Sequence, residues 1–130
     1  MPYLLDTNIA IHARDSDDHI LDMLAAHSGM VFLSAISLVE LQRGLYTKPE
    51  LSDLRRAHLE ILLEEIPVLP FDQAAAEMYG RIISLVGWSR TRDFDRMIAA
   101  HAIAAEAVLV TANTEDFRDI PGLKIENWAV

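Results

Sequence analysis

Four acidic residues fall where short apolar runs give way to helix-patterned sequence. Asp6 ends the run Tyr3 to Leu5, Glu40 lies in the first turns after Met30 to Ser34, and Asp116 follows Val108 to Thr111 within a few residues. A fourth, Asp95, begins the long helical pattern that leads into the run at Val108. In open parallel sheets, ligands sit outside the carboxyl ends of the strands, so acids at such ends point to a shared pocket. Like charges brought to roughly 5 Å repel by about 3 kcal/mol per pair at an effective dielectric near 20. A marginally stable fold carries such a cluster when a cation neutralises it or when some of the acids stay protonated. Oxygen donors alone, in a chain with no Cys, select a hard ion, Mg²⁺ or Mn²⁺, rather than zinc.

Each acid also has a purely local reading. Asp6 is placed to cap a helix beginning at Thr7. Ser37-x-x-Glu40 matches a capping box and Asn113-x-x-Asp116 a similar cap, while Asp93 and Asp95 stand where acids favour the positive end of a helix dipole. The five His residues (12, 19, 27, 58, 101) fall inside helix patterns, and His101 is expected to serve packing or surface rather than ligation.

The elements that must position these residues alternate. Tyr3 to Leu5 reads as a strand, Thr7 to Ala13 and His19 to Ala26 as helices, and Met30 to Ser34 as a strand buried on both faces. A helix follows through Tyr46. Pro49 to Glu65 reads as an amphipathic helix with Leu54, His58, Ile61 and Leu62 on one side, and "IPVLP" as a short edge strand because of its prolines. A helix opened by Asp72 and closed at Gly87 comes next, then the polar connector "WSRTR", the Asp93 to Ala107 helix, the strand "VLVT" and a last strand in "GLKIENW". Alternation of this kind predicts an α/β fold, a central parallel sheet of four to five strands with helices on both faces.

The length of 130 residues fits one domain, 1–130, with no linker. Absence of Cys suits a reducing compartment, and no apolar run reaches the length of a membrane span, so a soluble cytoplasmic protein without membrane contact is expected. Twenty acids against 11 Lys plus Arg give a formal net charge of −9, which argues against an extended basic footprint for nucleic acid. Bound cations invert the local field, and Arg43, Arg90, Arg92, Arg96 and Arg118 lie near the acids in sequence, where they can receive phosphates.

"LLDTNI", "SLVELQRG" at Ser37 to Gly44, "DRMIAAHA" at Asp95 to Ala102, and "LVTANTEDF" with "GLKIENW" resemble, in order and spacing over nearly the whole chain, the PIN-domain ribonucleases of VapC type, the toxins of toxin–antitoxin pairs. The resemblance implies a PIN-like fold and a metal-dependent endoribonuclease. It carries Asp6, Glu40, Asp95 and Asp116 over as the acidic quartet that holds Mg²⁺ or Mn²⁺, one ion or two, for hydrolysis of an RNA phosphodiester by water. Thr7, Asn8, Thr111 and Asn113 match the polar positions beside the quartet, and with Arg92 they are the expected substrate contacts. Asp93 competes with Asp95, and Glu115 adjoins Asp116; Asp95 is preferred for its register in "DRMIAAHA", Asp116 because it directly precedes Phe117. A homodimer and a cognate antitoxin are implied as partners, with the Leu51 to Leu63 helix a candidate contact for the antitoxin.

Two other readings compete. A receiver-like phosphoacceptor domain is also a small Mg²⁺-binding α/β unit, but it wants paired acids after the first strand, where this chain has Asp6 followed by Thr7 and Asn8, and a late lysine, for which only Lys124 is placed. A non-catalytic interaction module on the same fold requires the acids to do nothing but cap helices.

Overall fold

A computed structural model describes residues 1–129. Five strands, β1 (Tyr3–Leu5), β2 (Val31–Ser34), β3 (Val68–Leu69), β4 (Val108–Val110) and β5 (Ile125–Glu126), form one sheet of order β3-β2-β1-β4-β5. Every neighbouring pair is parallel, and β1 is central, with Tyr3 opposite Val31 on one side and Val108 on the other. Six helices supply the crossovers: α1 (Thr7–Arg14), α2 (Asp18–Ala26), α3 (Ala35–Tyr46), α4 (Ser52–Glu65), α5 (Gln73–Val86) and α6 (Asp93–Ala104). The α/β alternation read from the sequence is therefore the architecture, at the upper end of the expected strand count.

Successive strand side chains point to opposite faces, and the two cores follow from that alternation. Leu5, Val31, Leu33 and Val110 pack with Ile9, Leu41, Leu45, Leu59 and Leu62 from α1, α3 and α4. Leu4 and Leu109 face the other way, onto Ile82 of α5 and Ile98, Ala99 and Ala102 of α6. The central strands are thus covered on both sides, which is why they read as unbroken apolar runs.

Two local expectations are corrected. The Pro49 to Glu65 segment begins with a 3-10 turn, Pro49–Leu51, before α4 proper. On α4 the buried stripe is Leu59 and Leu62, continued by Ile66, whereas Leu54 and Ile61 are 55% and 61% exposed. Leu54, His58 and Ile61 form a second stripe at helical spacing, and the sequence reading merged it with Leu62.

Helix α5 ends as expected at Gly87, whose backbone sits at φ 80°, ψ 161°. Side-chain-bearing residues are nearly excluded from that region. Although a Cβ there would meet no atom within 4 Å, Gly87→Ala is expected to destabilise the fold by about 1–3 kcal/mol through backbone strain alone; an unchanged denaturation midpoint would contradict this.

Candidate active site

The chain reverses its direction of progress across the sheet between β1 and β4, the position at which open α/β sheets bind ligands. Asp6 follows β1 directly. Its amide donates to the Val110 carbonyl at 2.9 Å, its Oδ1 accepts from the Ile9 amide at 2.9 Å, and its Oδ2 accepts from the Thr111 hydroxyl at 2.5 Å. The Asn113 amide in turn donates to Thr111 Oγ1 at 2.9 Å. Asp6 is 4% exposed, and that burial pushes its pKa up, opposed by the bonds from Thr111 and Ile9. Asp6 is a helix cap as well as a member of the acidic group.

For Glu40 the capping explanation fails. Ser34, not Ser37, caps α3, accepting from the Ile36 amide. Glu40 instead takes a 2.6 Å hydrogen bond from the Thr7 hydroxyl, which also lies 3.2 Å from Ser37 Oγ, and its other oxygen stands 3.6 Å from Arg43. Asn113 caps nothing with its side chain either. Asp116 is held through its backbone: its amide donates to Asn113 O at 3.1 Å, and its carbonyl accepts from Arg92 at 3.3 Å.

Asp95 sits in the first turn of α6, half-buried. Its pKa is raised to about 6, first by burial and then by the charges of Asp116, Asp6 and Glu40, with Arg92 opposing. All four acids thus share one electrostatic field. Asp93 is turned elsewhere, bonded by the Tyr79 hydroxyl of α5, and Glu115 pairs with Arg118 at the surface. The field common to the quartet therefore contains Asp95 and Asp116 rather than their neighbours.

Of the polar positions, Thr7 and Thr111 point inward onto Glu40 and Asp6, and Thr111 is fully buried, so it braces a carboxylate instead of facing outward. Asn8 and Asn113 are exposed, and Arg92 is half-buried beside Asp116 and Asp95. Arg96 is buried, tied to the Gly87 carbonyl and to Asp119, so it is structural. Arg43 is exposed and lies over the Phe94 ring. His101 is buried with Nδ1 2.8 Å from Ser34 Oγ, and burial holds its pKa down. The Thr7–Ser37–Glu40 contact was not foreseen, because nothing local links positions 33 apart.

Among the described residues no three acidic or imidazole side chains close into a ready-made cation cage. The carboxylates are nevertheless near enough that Asp116, Asp6 and Glu40 add to the burial that raises the pKa of Asp95. Both observations fit Mg²⁺, which keeps several waters and binds through one or two carboxylates, better than a fully ligated ion such as structural zinc. Lys124, needed by a receiver-like reading, lies at the far end of the chain's β5 edge with Nζ 3.9 Å from Met1 sulfur. Capping accounts for Asp6 alone, which disfavours the module reading.

Removal of the brace is expected to matter more than its size suggests. Thr111→Val keeps the shape but takes away the hydroxyl on Asp6, and should lower the affinity for Mn²⁺ about 10- to 100-fold; unchanged Mn²⁺ binding would show the bond to be incidental.

The chain belongs to the PIN-domain family, whose model matches residues 3–123. Its relatives include Ribonuclease VapC2 of Rickettsia felis, 34% identical with 98% of both chains covered, and the tRNA(fMet)-specific endonuclease VapC of Shigella flexneri, 32% identical with 99% of both covered. The fold is similar to that in the DNA-bound VapBC structure from Salmonella typhimurium, at TM-score 0.90, 29% identity and 99% of each chain. It is likewise similar to VapBC2 of Rickettsia felis bound to a promoter DNA fragment, at TM-score 0.87, 31% identity, and 98% and 99% of the two chains. PIN-domain nucleases are in general dependent on divalent metals.

Proposed function

We propose that this chain is a Mg²⁺- or Mn²⁺-dependent endoribonuclease and the toxin of a VapBC-type pair. The observation that carries the reading is the convergence of acids from different elements at the carboxyl edge of the sheet. Asp6 lies directly after β1, braced by Thr111, and Glu40 is bonded by Thr7. Asp95 stands in the first turn of α6, its pKa raised to about 6 by burial, with added contributions from Asp116, Asp6 and Glu40. Relatives named as ribonucleases and as a tRNA endonuclease support RNA as the substrate. Asp6, Asp95 and Asp116 would hold the ion, with Glu40 alongside. A bound divalent ion supplies Lewis-acid polarisation of the phosphodiester and a water of lowered pKa.

The chain's own residues do the rest. Thr111 fixes Oδ2 of Asp6, Thr7 orients Glu40, and Arg92 offers a cation beside the carboxylates where a phosphate enters. Asn8 and Asn113 are exposed at the same edge and can contact the nucleotides. A homodimer would join two such edges.

For the antitoxin, the favoured surface is the cleft between α1, α2 and α4, about 320 Å³ and lined by Leu21, Leu24, Ile61, Leu62 and Ile66. The exposed second stripe of α4 borders it, in keeping with the helix singled out in the sequence. No helix among the described residues is long and apolar enough to cross a membrane.

The test is incubation of the purified protein, free of any partner, with a mixed RNA pool. Cleavage with Mn²⁺ that stops on chelation is expected; activity that survives chelation would overturn the metal assignment, and an absence of cleavage under all divalent ions would overturn the nuclease reading.

A further inference from the structure

The connector between α5 and α6 carries an unusual surface. Trp88 is 64% exposed, whereas the chain's other indole, Trp128, is 1% exposed. Arg90, two residues on, is exposed and takes part in none of the ion pairs among the described residues. An indole left in water contributes little to packing, and an exposed guanidinium follows it two positions on.

The connector is nevertheless held firmly. The buried Arg96 grips the Gly87 carbonyl at its start, the Tyr79 hydroxyl bonds Asp93 at its end, and the Arg92 amide donates to Ser89 O at 3.3 Å within it. Arg92 also binds the Asp116 carbonyl at 3.3 Å, which ties the connector to the acid-bearing turn. Trp88 and Arg92 stand four positions apart, so their Cα atoms are at most about 14 Å apart. A few nucleotides of single strand cover that distance.

Resting on the endonuclease reading above, we propose that Trp88 and Arg90 form an RNA-holding arm: the indole stacks on an unpaired base flanking the cleaved bond, and Arg90 meets a backbone phosphate. Single-stranded RNA is recognised through such stacking on aromatic rings with cationic side chains alongside, largely without regard to sequence. Anchored at both ends, the connector has less backbone freedom to lose when the strand lands. It also supplies positive charge at the one edge where an acidic protein must receive a polyanion.

The test uses the full chain with a short unstructured oligoribonucleotide. Binding to the Asp6→Asn protein should quench the exposed indole, and the affinity, followed by labelled-RNA anisotropy, should weaken about 5- to 100-fold on Trp88→Ala. Trp88→Phe should keep part of the affinity and Trp88→Leu should not, because stacking needs a ring face and not merely apolar area. In the active protein the same change should raise KM with little effect on kcat.

Unchanged RNA affinity in Trp88→Ala would overturn the arm while cleavage by the parent leaves the nuclease reading standing. Equal rescue by Phe and Leu, or loss of self-association on sedimentation without RNA, would overturn it in favour of a protein contact. A parent that neither binds nor cuts RNA with Mn²⁺ removes both readings together.

Discussion

Asp95→Asn is expected to lower RNA cleavage by about a thousandfold or more, roughly 4 kcal/mol of transition-state stabilisation, while leaving the protein folded and more resistant to heat. Both effects come from one fact. The carboxylate is half-buried among Asp6, Glu40 and Asp116, so its charge is unfavourable for folding. Asn keeps the shape and removes the charge. An ordinary structural acid behaves in the opposite way: its removal destabilises the fold and affects activity only through that loss. A fully active Asp95→Asn protein would remove this residue from the site, and Asp93→Asn, which disturbs only the contact with Tyr79, is the matched control.

The second large effect is a pH dependence of stability that divalent metal abolishes. The folded-state pKa of Asp95 is about 6 against 3.8 for the free side chain. Stability from this group is therefore fully present below about pH 4 and is lost as pH rises through about 6. The loss is bounded by about 3 kcal/mol for two pKa units, and less where solvent screens the charges. Asp6, also raised by burial, adds in the same direction. Thermal melts without metal should thus give a midpoint falling by roughly 5–10 °C between pH 4.5 and 7 from these two groups. Mn²⁺ at a hundred times its dissociation constant should restore about 2.7 kcal/mol at pH 7, and much less at pH 4.5, where protons compete for the same oxygens. Melting curves insensitive to Mn²⁺ at pH 7 would mean that the acids act separately.

The sequence disclosed more of the fold than of the site. Unbroken apolar runs at Tyr3–Leu5, Val31–Ser34 and Val108–Val110 are legible because both faces of the central strands are covered, and helix ends at Asp72 and Gly87 are legible because caps are local. The failures are non-local. Ser37-x-x-Glu40 has the spacing of a capping box, yet Ser34 caps α3, and Glu40 is claimed by a threonine 33 residues away. The apolar residues of α4 fit two stripes equally well, and only the packing of α1 and α3 against Leu59 and Leu62 decides between them. Thr111 illustrates the same limit: its place next to the acids was apparent, but its inward direction onto Asp6 depends on the register of β1 against β4. Choosing Asp95 over Asp93 rested on resemblance, and a physical reason emerges only from the partners each side chain finds.

Acids of different elements, Asp6 after β1, Asp95 on α6 and Asp116 after β4, are expected to assemble one divalent site. Anomalous diffraction from crystals soaked in Mn²⁺ measures this directly. A peak within bonding distance of carboxyl oxygens from Asp6 and from at least one of Asp95 and Asp116 is the predicted result. Saturating Mn²⁺ with no peak at that edge of the sheet, in a protein that still cuts RNA, would contradict it.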